Sequence, residues 1–277
     1  VSALRGRVCI VTGGSRGVGK GCAIELGAAG ATVYVTGRSD RSSSGKLPGT
    51  IRETAAAVAL AGGIGIAVPC DHRDDAQVEA LFSRVRNEQG RLDVLVNNAF
   101  LIPRELTSGK PFYQLPLSNW DDMIDVGLRS AYVASWHAAR LMVEQRSGLI
   151  ANISSSGASE YAWHVVYGVG KCALDRLTAD AAHELREAGV AVVSLWPGLV
   201  LTERTSAFVE AGRLDSEGAE SQRFTGRAIA HLAADPDVLA SSGRPLTSRE
   251  LADRYGFRDV DGTLPNGPMH ERPGGLT

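Results

Sequence analysis

Tyr167 and Lys171, in the stretch V-V-Y-G-V-G-K, place a phenol four residues from an ammonium. On a helix that spacing stacks both side chains on one face. An unperturbed phenol titrates near ~10, too high to exchange protons at neutrality, and an adjacent ammonium favours phenolate and lowers that value. The pair has the make-up of a general acid–base with its own tuning charge. An isolated Y-x-x-x-K is more often a surface tyrosine beside a solvated lysine, so its meaning depends on what lies upstream.

About 150 residues upstream is a glycine turn, T-G-G-S-R-G-V-G, from Thr12 to Gly19. Gly13, Gly17 and Gly19 sit between an apolar run, Val8 to Val11, and a helical stretch rich in Ala and Gly. Strand, glycine turn and helix together are the context in which such a cluster points to a dinucleotide. Glycine lets the backbone approach a pyrophosphate, and the helix N-terminus offers N–H groups and the positive end of its dipole. The spacing is G-x-x-x-G-x-G rather than G-x-G-x-x-G. The next strand ends Val35-Thr36-Gly37-Arg38, without the acid that NAD sites place there to bind the ribose 2′-OH. Arg38 at the strand end and Arg16 in the turn instead offer guanidiniums to a 2′-phosphate. Asp40 falls two residues later, in the loop. NADP(H) is therefore expected over NAD(H).

The elements that must position these residues alternate along the chain. Strands are expected at Val8–Val11, Thr32–Thr36, Ile64–Val68, Val94–Val96, Leu149–Ile153 and Val190–Leu195, with helical patterns near 17–29, 51–61, 75–89, 118–145, 168–188 and 222–234. Nearly continuous apolar strands alternating with helices imply a parallel sheet covered on both faces. Three segments after strand ends read as irregular: Ser39 to Thr50, Phe100 to Leu117 with prolines at 103, 111 and 116, and Glu203 to Ser221. Open α/β sheets place their ligands at such ends.

Bulk properties agree with this reading. The 277 residues are 44% hydrophobic and 22% charged, ordinary for a globular chain that buries a sizeable core. A net charge of −2 recommends neither nucleic acid nor an anionic membrane surface. No run of eighteen apolar residues appears, and a cytoplasmic enzyme is expected. Cys9, Cys22, Cys70 and Cys172 lie far apart without a C-x-x-C, so buried reduced thiols are expected. The six histidines form no H-E-x-x-H or Cys/His ligand pattern, and no metal is expected.

Taken together, T-G-G-S-R-G-V-G (12–19), Asp71 after the third strand, N-N-A (97–99), N-I-S-S (152–155), Y-G-V-G-K (167–171) and P-G-L-V-L-T (197–202) resemble the short-chain dehydrogenase/reductase family over almost the whole chain. The segments 90–99, 194–198 and 252–262 resemble the dehydrogenase/reductase member 1 type within it. The resemblance implies an α/β Rossmann-type doubly wound parallel sheet of about seven strands. A single NAD(P)-binding domain would span 1–277, with a variable lid at about 203–221 and a short C-terminal extension at about 248–277. It implies that Tyr167 is the general acid in reduction and the base in oxidation, with Lys171 holding the nicotinamide ribose and depressing the tyrosine pKa.

A serine hydroxyl would bond the substrate oxygen, and Ser154, Ser155 and Ser156 compete for that role. The second serine of N-I-S-S selects Ser155, twelve residues before Tyr167, whereas a spacing of thirteen would select Ser154. Strand alternation sends those two to opposite faces, so one serves. The cofactor would be lined by Gly13, Ser15, Arg16, Gly17, Val18, Gly19, Arg38, Asp71, Asn98, Ala99, Tyr167, Lys171, Pro197, Gly198, Val200 and Thr202. In that set Asp71 faces the adenine amino group, Asn98 and its neighbours the adenosine ribose, and Thr202 the carboxamide.

Phe100, Leu101, Ile102, Tyr161, Trp163 and His164 are expected to line a pocket for a hydrophobic ketone, aldehyde or alcohol. His164 reads as a rim or packing residue. Two positions depart from the family: Phe100 follows N-N-A in place of glycine, and Gly127 stands in D-V-G-L where asparagine usually helps hold a water of the proton relay. Gly127 motivates a second reading, a non-catalytic dinucleotide-binding sensor or scaffold. A third is lyase or epimerase chemistry on the same fold. A homodimer or homotetramer is expected, since the 118–145 and 168–188 segments build such interfaces in relatives.

Overall fold

The computed structural model describes residues 3–40 and 47–268. Part of the Ser39–Thr50 loop and the last residues of the C-terminal extension lie outside them. Seven strands form one sheet: β1 (Val8–Val11), β2 (Thr32–Gly37), β3 (Ile64–Pro69), β4 (Val94–Asn97), β5 (Gly148–Ile153), β6 (Val190–Trp196) and, beyond a small separate pair, β9 (Pro245–Thr247). Their order is β3-β2-β1-β4-β5-β6-β9, and every pairing is parallel. The seventh strand, only three residues long, is the one for which the sequence offered no position.

The two faces of the sheet carry separate cores, and the pleat sorts residues between them. Cys9 and Val11 of β1 join one core with α1 (Gly17–Ala28), α2 (Ile51–Leu60), α8 (Gln222–Ala234) and α9 (Ser248–Tyr255). Val8 and Ile10 join the other with α3 (Asp75–Gln89), α5 (Ser130–Gln145) and α6 (Val165–Leu185). The chain order reverses at β1, whose neighbours are β2 and β4, which puts a crevice beyond their carboxyl ends.

Two expectations change in detail, and the glycines of α1 let α8 approach it closely. A Cβ on Gly21 would lie 1.7 Å from the Gln222 carbonyl oxygen, and one on Gly226 would lie 2.5 Å from that of Gly21. The 118–145 segment is not one helix: α4 (Ser118–Ile124) and α5 are joined by a π turn at Asp125–Arg129, with Gly127 at its centre. Cys9, Cys22 and Cys70 are buried, but Cys172 is exposed, because it follows Lys171 on α6 and so faces away from the sheet.

The stretch after β6 is tied at both ends. β7 (Val200–Leu201) pairs in parallel with β8 (Glu220–Ser221), and α7 (Thr205–Glu210) lies between them. The C-terminal extension fastens the far end: Asp259 accepts from Ser221 N and Oγ, Asn266 N donates to the Gly218 carbonyl, and Ser248 Oγ bonds the buried Glu220 carboxylate. Among the described residues, no helix is long and apolar enough to cross a membrane.

Candidate active site

The crevice at the carboxyl ends of β1, β2 and β4 is a cleft of about 570 Å³. One end is lined by Gly13, Ser15, Arg16, Gly17, Val18, Arg38, Asp71, Asn98 and Ala99, the other by Phe100, Leu101, Ser155, Tyr167, Lys171, Pro197, Gly198, Val200 and Thr202. Distant segments of the sequence thus share one cavity.

The glycine turn is held by hydrogen bonds from the next segment. Thr12 Oγ1 accepts from the backbone N–H groups of both Asn98 and Ala99, at 2.9 Å each. Asn98 Nδ2 donates to the Thr12 carbonyl at 2.9 Å and the Gly13 carbonyl at 3.0 Å. The Asn98 amide thus spends both protons on the turn, so its main task is to shape the cleft rather than to bind ribose through that group. A Cβ on Gly13 would lie 2.8 Å from Ala99 Cα, so this glycine is needed for packing as well as for approach to a ligand. Gly17 has φ +57° and opens α1 facing the cleft. Its N–H donates to Glu203 Oε2 at 2.9 Å, placing a carboxylate at the positive end of a twelve-residue helix. That seat suits an anion, and the cradle therefore fits a dinucleotide pyrophosphate.

Charges at the β2 end bear on the 2′ position. Arg38 lies exposed on the cleft rim. Arg16 points at the 47–50 turn, donating to the carbonyls of Pro48 and Gly49 at 3.0 Å each. Asp40 is ion-paired with Arg52 of α2 at 2.7 Å, which the sequence did not signal because Arg52 sits beyond an irregular loop. Asp71 is bound by Arg73, whose hydrogen bonds hold its carboxyl below the usual carboxylate range despite partial burial. Beneath it, His72 Nε2 lies 2.7 Å from Thr36 Oγ1, and burial pushes this imidazole down to about 4. His72 went unread in the sequence, since a lone histidine after a strand carries no pattern.

At the other end, α6 starts at Val165 and so puts Tyr167 and Lys171 on its sheet-facing side. Tyr167 Oη donates to Ser155 Oγ at 2.9 Å. Ser155 Oγ also accepts from Gly157 N at 3.2 Å, so both of its lone pairs are engaged and its proton is left to donate. Ser154 faces the other way, buried, with its Oγ 3.4 Å from the Lys171 carbonyl. Lys171 Nζ donates to the Ile153 carbonyl at 2.9 Å. Burial pushes the lysine down to about 8, against a smaller opposing pull from Asp175. Asp175 is one further turn along α6 and accepts from Ser194 Oγ and Trp196 Nε1 at 2.5 and 3.0 Å. Its place on the face of Tyr167 and Lys171 was available from the four-residue spacing.

The expectation of an acidified phenol is not met in the protein alone: burial raises the Tyr167 pKa, and the Ser155 bond opposes that rise without overcoming it. Lys171 Nζ stands 5.8 Å from the tyrosine ring centroid, with its hydrogen bond directed to Ile153.

The expected substrate residues divide. Phe100, Leu101 and Ile102 line the cleft. Tyr161 and Trp163 do not: they are exposed in the turn before α6, where Trp163 adopts φ +62°. His164 is buried as the residue preceding α6, with neither ring nitrogen hydrogen-bonded among the described residues. None of the three lines the cleft that Phe100 borders. Thr202 lines the cleft, and it also caps the turn that opens into α7: its hydroxyl accepts from Thr205 N at 3.2 Å and its carbonyl from Ser206 N at 2.9 Å. Among the described residues no cluster of His, Cys, Asp and Glu could hold a metal ion.

This fold and cleft define a class of protein, and comparison with known chains agrees. Residues 7–212 match the family described as short chain dehydrogenase. The chain belongs to the short-chain dehydrogenase/reductase family and is an NAD(P)-dependent oxidoreductase. It is 45% identical to dehydrogenase/reductase SDR family member 1 of Mus musculus over 276 residues, covering 95% of this chain and 86% of the mouse protein. The Homo sapiens protein of that name is also 45% identical, over 273 residues, covering 94% and 85%. A metagenomic short-chain oxidoreductase solved in complex with NADP superposes with a TM-score of 0.71 at 29% identity, over 88% of this chain and 97% of that one. A short chain dehydrogenase of Mycobacterium thermoresistibile shares the fold at 24% identity, with a TM-score of 0.82 over 99% of both chains.

Proposed function

We propose that this chain interconverts a hydrophobic ketone or aldehyde and its alcohol with NADP(H), through Ser155, Tyr167 and Lys171. The observation that carries the reading is the 2.9 Å bond from Tyr167 Oη to Ser155 Oγ, one helical turn from a buried ammonium at the end of a dinucleotide-shaped cleft. The cofactor supplies or accepts the hydride.

The protein's own groups handle the oxygen. Ser155 directs its proton to a carbonyl oxygen and stabilises the charge that develops there. Tyr167 turns its single phenolic proton from Ser155 Oγ to the same oxygen, gives it up during reduction and takes it back during oxidation. Lys171, part ammonium near neutrality, favours the resulting phenolate. It would also hold the nicotinamide ribose, while Thr202 and the Pro197–Val200 segment would line the nicotinamide end. The Gly13–Gly19 turn would take the pyrophosphate and Arg38 the 2′-phosphate. Three adjacent apolar side chains, Phe100, Leu101 and Ile102, favour a lipophilic substrate over a sugar or an acid. The 203–221 segment would serve as a lid of this single domain, and copies of the chain would associate as a dimer or tetramer.

The test is NADPH oxidation with a panel of hydrophobic ketones and aldehydes, run against Tyr167→Phe. Turnover that needs the hydroxyl supports the reading. Turnover confined to sugar or acid carbonyls, or carbonyl reduction by Tyr167→Phe at the parent rate, overturns it.

A further inference from the structure

We propose that Phe100 is a positioning residue for Lys171: its ring, seated in the space left by Gly127, presents its face to the ammonium and holds it against the Ile153 carbonyl. This rests on the role given to Lys171 above, and it joins the two positions at which the sequence departs from its family.

The two departures touch. A Cβ on Gly127 would lie 2.8 and 2.9 Å from Cδ2 and Cε2 of Phe100, closer than real Cβ contacts allow. Any side chain at 127 would therefore compete with the ring for one volume. Gly127 belongs to the π turn Asp125–Arg129, and Val126 beside it lines the cleft, so the turn forms the wall against which the ring rests. On its other side the ring centroid is 4.8 Å from Lys171 Nζ, and the ring meets that of Tyr167 edge-on at 6.1 Å.

An ammonium has three protons to place. One goes to Ile153, and the face of Phe100, with its negative quadrupole, lies within cation–π distance of the same nitrogen. The groups facing Lys171 are few. On its own helix they are Tyr167 and Asp175, the latter already bonded to Ser194 and Trp196. From β5 there is the Ile153 carbonyl, and from the segment after β4 the Phe100 ring. Asp125 of the π turn lies with Arg73 and Arg129 around a separate surface hollow. Among the described residues Lys171 forms no ion pair, so the ring offsets part of the cost of burying its charge. Without the ring the neutral amine gains, and Lys171 titrates lower.

The test reads Lys171 directly in the full chain. Lysine labelled with 13C at Cε is followed by NMR across pH, the Lys171 signal being assigned by its loss in Lys171→Met. Phe100→Leu keeps an apolar side chain of similar bulk and removes the quadrupole, whereas Phe100→Tyr keeps both. The Lys171 midpoint is expected to fall by about 0.5–1.5 pH units in Phe100→Leu and to stay near the parent value in Phe100→Tyr. No fall in Phe100→Leu, or an equal fall in Phe100→Tyr, overturns the proposal. A second arm needs no titration. Gly127→Ala should lower the thermal midpoint in the parent and much less in a Phe100→Ala background. An equal loss in both backgrounds overturns the shared seating. Neither readout requires turnover, so a missing carbonyl substrate and a failed Phe100 role remain distinct results.

Discussion

The two ends of the cleft are built differently. At the dinucleotide end, backbone donors and acceptors are paired by side chains from the neighbouring strand: Thr12 and Asn98 alone make four bonds between the β1 and β4 ends. Behind them, Asn97 Nδ2 donates to Asn152 and Ser135, and Asn152 Nδ2 to Thr178, a buried polar chain running from α5 to α6. The substrate end is bordered instead by the 100–117 segment, where Phe112, Tyr113 and Leu117 are 60%, 74% and 90% exposed. The first end is preorganised for a ligand of fixed shape. The second leaves apolar surface uncommitted, as would suit the proposed role of choosing which carbonyl enters.

The comparison breaks most sharply at the proton-transfer groups. Tyr167→Phe should lower kcat/KM by ~10²–10⁴ with NADPH affinity intact, since the ring still packs and only the proton is lost. Steady-state kinetics and a fluorescence titration of cofactor separate the two effects. Ser155→Ala should lower kcat/KM by ~10²–10³, and Ser154→Ala far less, because only Ser155 bonds Tyr167. A crippled Ser154→Ala with an active Ser155→Ala would reverse the assignment.

At the dinucleotide end the expected losses are in stability and affinity. Thr12→Val is nearly isosteric but leaves the half-buried N–H groups of Asn98 and Ala99 without their acceptor, a loss of about 1 kcal/mol or more in all. Urea unfolding should show it, with weaker cofactor binding; unchanged stability would mean that the turn is held by its glycines alone. NADPH should bind at least ~10-fold tighter than NADH, roughly 1.4 kcal/mol, and Arg38→Ala should remove most of that margin. Equal affinities in the parent would point to Asp40 escaping Arg52.

The smallest effect expected is a gain. Glu203→Gln keeps an acceptor for Gly17 N–H but removes the charge that competes for the α1 terminus, so cofactor affinity should rise about two- to five-fold. Weaker binding would mean that Glu203 assists the site.

Much of this was legible in sequence because the signals are local. Short, nearly continuous apolar runs placed six strands to within a residue or two, and the glycine turn between a strand and a helix placed the cofactor end. Tyr167 and Lys171 were paired by helical spacing alone. The long helix at 118–145 was not read correctly, because a five-residue π turn keeps the apolar pattern while shifting the ladder of hydrogen bonds. Tyr161, Trp163 and His164 were grouped with Phe100 for being aromatic and near Tyr167 in sequence, yet in the turn before α6 they stand outside the cleft. Pairings across a loop, such as Arg52 with Asp40, have no fixed spacing to read.

What the sequence by itself determined is the parallel sheet, the dinucleotide turn and the face of α6 that carries a phenol and an ammonium, since each follows from the order, apolar character or spacing of residues close along the chain. Only the tertiary structure decided which serine meets the phenol, and that a carboxylate from beyond β6 sits on the terminus of α1. It alone decided that the phenylalanine after β4 fills the hollow of a glycine in the π turn and covers the lysine. Those contacts join residues on different elements. Their distances depend on where the sheet sets each strand end and how closely each helix packs, not on any repeat along the chain.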